Sequence, residues 1–157
     1  MPRATLDADL VADIRLEQAE PLAQAWRDAF YVDVEAIRDA VRRQSSFNLI
    51  HLDTLFKVDI FVPKRRAFDQ VQFTRRVPHL LPTEPERTIY LTTAEDTILT
   101  KLEWYRIGGE VSERQWRDVL GVCKVQGHRL DLEYLRHWAT RLGVLDLWER
   151  AFSAANL

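Results

Sequence analysis

Residues 2–11 read PRATLDADLV and residues 55–62 read LFKVDIFV. Both stretches alternate apolar and polar residues, which predicts β-strands. Side chains on a strand alternate faces, so Asp7 and Asp9 share one face. Leu6, Ala8 and Leu10 are then expected to point into a core. In the second stretch Phe56, Val58, Ile60 and Val62 form the apolar face. Asp59 stands on the opposite face beside Lys57 and Phe61. An Asp inside so apolar a run is unfavourable in a strand without a partner or a solvent-facing edge, and Lys57 is an available ion partner. If the two strands are neighbours, Asp7, Asp9 and Asp59 converge on one surface. Clustered carboxylates of this kind suit divalent cations such as Mg²⁺.

Working outward, 6–14 reads as the first strand, and 16–30 as a helix with Ala19, Leu22, Ala23, Trp26 and Phe30 at helical spacing. A second helix is expected over 34–43, with Val34, Ile37 and Val41 inward. Residues 47–52 and 54–62 read as a hairpin turning near Asp53 and Thr54. RRAFDQVQFTRR reads as a short helix or ordered loop, and 88–91 as the last strand, after the loop PTEPER. Beyond Thr92 the strands stop. Four helices follow: TTAEDTILTKLEWYRIGG with a Thr cap and acidic first turn, SERQWRDVLGVCKVQG capped by Ser112, DLEYLRHWATRLG, and VLDLWERAFSAA. The expected fold class is α/β (α+β), a mixed sheet with flanking helices over 1–92 and a helical region over 93–157 packed on it.

A chain of 157 residues, 46% hydrophobic, suits one compact domain or a core with a helical appendage. The formal net charge of −2 gives no global field for nucleic acid or membrane. Basic residues cluster at Arg42-Arg43, Lys64-Arg65-Arg66 and Arg75-Arg76. Solvated surface is the plain reading of each, and contact with a triphosphate or RNA backbone the sharper one. One cysteine, Cys123, excludes an internal disulfide, and its place on an apolar stripe makes it core rather than nucleophile. No signal peptide or membrane-length apolar run is seen, so the expected compartment is the cytosol, with no membrane partner. The histidines His51, His79, His128 and His137 lack metal-ligand spacing and read as structural or surface residues. Of five tryptophans, four follow residue 100, where they either fill the helical core or form a homodimer face.

The order of a DxD strand, helices, a hairpin with a lone Asp and a helix opening with Glu-Asp and carrying a Lys resembles the nucleotidyltransferase fold of the polymerase-β superfamily. It is more closely similar to bacterial nucleotidyltransferases related to AbiEii-type toxins. The matching residues are Arg3, Thr5, Asp7 and Asp9 in RATLDADLV, Asp59 in FKVDIF, Glu95, Asp96 and Lys101 in AEDTILTKLEWY, and Arg114, Arg117 and Asp118 in RQWRDVLGV. The resemblance implies Asp7, Asp9 and Asp59 as catalytic, metal-ligating residues for Mg²⁺ or Mn²⁺. It implies Lys101 reaching toward phosphate, with Asp118 supporting it. The implied partners are an NTP, a hydroxyl acceptor (RNA, protein or small molecule) and an antitoxin-like protein. In the superfamily a Gly-Ser helix start precedes the DxD strand and holds phosphates. Here Met1 stands six residues before Asp7. The expectation is therefore either that an upstream segment supplies this element or that the chain is a degenerate fold.

Two other readings follow from the residues. A non-catalytic module of the same fold would bind a partner protein or nucleotide. A metal-dependent nuclease would also use clustered acids, but its pattern wants an acid and a lysine one residue apart on one strand. After Asp59 the next lysine is Lys64, beyond Pro63, which ranks that reading low.

Overall fold

The structure is a computed structural model and describes residues 7–156. Leu6 of the expected first strand, and Arg3 and Thr5 of the resemblance, lie outside them. The fold is mixed α/β. The described residues form seven α-helices, a four-stranded sheet and a separate two-stranded ribbon. The chain divides into two compact units, Met1–Gln70 and Val71–Leu157. The helix α3 (Ala67–Arg75) runs across the division.

The first unit is built on a sheet of order β1-β4-β3-β2. β1 (Asp7–Val11) runs parallel to β4 (Lys57–Phe61), β3 (Ser46–His51) antiparallel to β4, and β2 (Phe30–Tyr31) antiparallel to β3. One face is covered by α1 (Ala19–Trp26) and α2 (Val34–Arg43). Ile14, Ala19, Ile37, Ala40, Phe47, Leu49, Ile60 and Val62 make the buried core there, with Val58 and Trp26 packed against it. α2 has the bounds its sequence predicts. It is capped by the Asp33 carboxylate, which accepts from the Glu35 amide at 2.9 Å.

Three local expectations change. The predicted helix over 16–30 is a 3-10 turn at Leu16–Gln18, then α1, then β2. Pro21 explains the late start, because it has no N–H to give and is tolerated only in a first turn. Phe30 pairs with His51 instead of closing the helix. Leu10, expected in the core, is 51% exposed. β1 is the outer strand of the sheet, and α2 lies against β3 rather than over it. Ala8 is half-buried.

In the second unit, β5 (Val77–Leu81) and β6 (Arg87–Leu91) form an antiparallel ribbon, with His79 opposite Ile89. β5 is not evident in the sequence because Pro78 argues against a strand, but a ribbon edge accommodates proline. The four expected helices are all present: α4 (Ala94–Ile107), α5 (Glu113–Gln126), α6 (Leu132–Arg141) and α7 (Leu145–Ala154). Thr93 and Ser112 cap α4 and α5 as predicted, and Asp131 caps α6. Gly143, at φ +70°, ends α6 in the left-handed conformation that only glycine adopts freely. Ile98, Leu99, Leu102, Val119, Leu135, Leu147 and Trp148 are among the buried side chains of this core.

Candidate functional site

β1 and β4 place the three predicted acids together. In the parallel register Asp9 lies directly opposite Asp59, and Asp7 opposite Lys57. Across β4, Asp59 also faces Asn48 of β3. The alternation that sends Val58 and Ile60 into the core therefore turns Asp7, Asp9, Lys57 and Asp59 to the other face of the sheet. Asp7, Asp9, Lys57 and Asn48 are exposed, and the Asp59 side chain retains 22% of its surface.

Like charges directly opposite each other on a sheet are unfavourable unless a cation lies near. Lys57 supplies one. Its Nζ lies 2.8 Å from Asp59 Oδ2, the i,i+2 pairing the sequence suggests. Hydrogen bonding and attraction from Asp59, and then the fields of Asp7 and Asp9, hold the Lys57 ammonium to its proton beyond the ordinary lysine value. One ammonium thus feels all three carboxylates.

Carboxylate oxygens are the donors that Mg²⁺ and Mn²⁺ prefer, so the donor set fits such an ion in kind. Among the described residues no three His, Cys, Asp or Glu side chains are arranged as a ready cage for a metal.

The other two predicted residues come together in the second unit. Lys101 of α4 donates to Asp118 Oδ2 of α5 at 3.1 Å, both side chains about 30% exposed. Ile98, Leu102 and Tyr105 form the buried stripe beside Lys101, as the helical spacing predicts. Arg117 pairs with Glu113 on the surface of α5 at 3.1 Å.

Glu95 and Asp96, whose first-turn position suggests only a favourable helix dipole, do more. Asp96 is fully buried. Its Oδ2 accepts from Thr93 Oγ1 at 2.9 Å, and its Oδ1 accepts from Tyr134 Oη at 2.5 Å. Arg75 Nε is buried 3.6 Å from the same carboxylate, an ion contact longer than a hydrogen bond. The Arg75 guanidinium stacks over the Tyr134 ring at 3.8 Å and reaches Glu95 at 3.6 Å. Burial, then the adjacent Asp96, push the Tyr134 phenol well above its ordinary range. The Thr93 hydroxyl and the Tyr134 phenol thus hydrogen-bond one interior carboxylate, with the Arg75 guanidinium as its nearby counter-charge. The only local signal for this cluster is the Thr93-x-x-Asp96 spacing of a capping box.

Cys123 is fully buried, and burial pushes its thiol up to about 11, so it is core and not a nucleophile. His51 is held in the hairpin turn by Thr54, Nδ1 to Oγ1 3.0 Å, and by an edge contact with Phe30. Tyr105 is buried and packs on Trp116, ring centroids 5.4 Å apart.

No family model, no curated protein and no solved structure matches the chain.

Proposed function

We propose that the first unit is a nucleotidyltransferase-like catalytic module. Its reaction is transfer of a nucleoside monophosphate from an NTP to a hydroxyl acceptor, with pyrophosphate leaving. The observation that supports this most is the register of the parallel pair β1–β4, which sets Asp9 against Asp59 with Asp7 on the same exposed face. Asp7, Asp9 and Asp59 would hold Mg²⁺ or Mn²⁺. When bound, the metal supplies neutralisation of the charge that develops around the α-phosphorus. Asp59 is the candidate to take the proton of the attacking hydroxyl, being the least exposed of the three. Lys101, linked to phosphate by the resemblance alone, is paired with Asp118 inside the second unit. The acceptor class extends to RNA, protein or a small molecule, and a toxin role with an antitoxin-like partner fits the resemblance.

Thermal unfolding with Mn²⁺ or Mg²⁺, alone and with an NTP, tests this reading. A ligand that binds only the folded state raises the midpoint. The expected result is a metal-dependent rise in the wild type that Asp9→Asn and Asp59→Asn each abolish. No rise in the wild type, with both variants at least as stable, would leave a non-catalytic module of the same fold as the better reading.

A further inference from the structure

We propose that the exposed face of α5 is a docking surface for the phosphodiester backbone of a nucleic acid. The surface belongs to the second unit alone and stands whether or not the first unit is catalytic.

The sequence of α5 gathers its charge on one side. Arg114, Arg117, Gly121 and Lys124 follow at intervals of three, four and three residues, the spacing of one helix face. All four are exposed, as is Val125 beside them. The two acids of the helix, Glu113 and Asp118, stand at the margins of this face. Asp118 is half-buried and pairs with Lys101 at 3.1 Å. Glu113 pairs with Arg117 at 3.1 Å, but these side chains are 86% and 76% exposed, so the pair yields readily to a phosphate. No acidic residue follows Asp118 before Asp131. The helix dipole accounts for Lys124 in the last turn, whereas it disfavours a cation such as Arg114 in the first.

Gly121 is the second observation. Glycine in a helix interior is destabilising relative to alanine. A β-carbon on Gly121 would meet nothing within 4 Å beyond its own stretch of helix, so packing inside the protein does not require the glycine. What a bare Cα permits is close approach of another molecule to the helix backbone. Arg114 and Lys124 bracket that point, about 15 Å apart along the axis, the rise of about four nucleotides of one strand.

The class of partner follows from the side chains on the face. A protein interface centres on aromatic or other large apolar anchors, and here Val125 is the one apolar side chain beside the cations. Guanidinium groups on an open helix suit phosphate oxygens, which they grip two at a time. A contact made to phosphates carries no sequence information, so binding is expected to be independent of sequence.

The test is fluorescence anisotropy of the full chain, without metal or NTP, against a labelled single-stranded RNA of mixed sequence and a labelled DNA duplex. Wild type should bind at least one probe, with a Kd that rises about 20- to 40-fold between about 50 and 200 mM salt, the signature of about three phosphate contacts. Arg114→Gln and Lys124→Gln should each weaken binding about tenfold at the lower salt and reduce the salt slope by about 1. Gly121→Gln should weaken binding about tenfold while melting no lower than wild type, because glutamine favours helix over glycine. Arg136→Gln, at an exposed position of α6, should stay within about twofold of wild type. Failure to bind either probe overturns the proposal. So does binding that Arg136→Gln weakens as much as Arg114→Gln, or that polyglutamate displaces as readily as unlabelled nucleic acid. A Gly121→Gln variant that melts below wild type yet binds equally well would make the glycine structural and overturn it too.

Discussion

Two carboxylate clusters in this protein are neutralised in opposite ways. On the β1–β4 face, Asp7, Asp9 and Asp59 stand at the surface of a sheet beside a flexible lysine. At the start of α4, Asp96 has no exposed surface and is held by Thr93, Tyr134 and Arg75. In the first case the neutralising group can swing away into water at little cost. In the second, half-buried partners close around a fully buried acid, and losing one leaves a buried polar group less well satisfied. An acid that must exchange ligands belongs to the first environment, and an acid that ties helices together belongs to the second.

Removing the buried acid should have the largest effect. Asp96→Ala leaves Arg75 and Tyr134 facing an empty position and is expected to cost about 3–5 kcal/mol in denaturant unfolding. A loss under about 1 kcal/mol would mean that water satisfies the cluster and that the contrast with the surface face is false.

Tyr134→Phe sharpens the same side. Loss of one buried hydrogen bond to a charged acceptor is expected to cost about 1.5–3 kcal/mol near neutral pH. The phenol's folded-state pKa lies above its ordinary value of 10. Its contribution is therefore complete below that value and falls as pH rises beyond it, where the unfolded chain loses the proton first. The gap between wild type and Tyr134→Phe should accordingly narrow above pH 10, measured by unfolding at matched ionic strength. A gap that widened there would show the phenolate to be favoured in the fold.

Asp59→Asn should do least to stability. A partly exposed ion pair contributes about 0–1 kcal/mol, and removing one of two facing acids relieves repulsion between Asp9 and Asp59. The variant is expected within about 0.5 kcal/mol of wild type without metal. A loss of several kcal/mol would put Asp59 in the structural class with Asp96.

The features legible in the sequence were those with a local cause. The bounds of α2, the turn between β3 and β4 and the caps Thr93 and Ser112 all follow from residues a few positions apart. The period of two in residues 55–62 sufficed to set Asp59 on the face opposite Val58 and Ile60. That Asp7, Asp9 and Asp59 share a face needed only the assumption that the strands are neighbours, whereas the register that sets Asp9 opposite Asp59 had no trace in the sequence. What escaped had a distant cause or a masking residue. Tyr134 meets Asp96 across 38 positions, with no periodic trace. Pro78 concealed β5, and Leu10 looked like core because alternation cannot tell a central strand from an outer one. The metal, nucleotide and acceptor rest on resemblance and on the carboxylate geometry, which is why titrations and not sequence decide them.

Trp26, packed against the core of the first unit, has a practical consequence. It is the single tryptophan of residues 1–70, and the other four lie at 104, 116, 138 and 148. Intrinsic fluorescence of the wild type therefore reports mainly the helical unit. Subtracting the emission of a Trp26→Phe variant isolates the sheet unit without any label. Coincidence of the two melting curves would mark one cooperative transition, and separation would mark two.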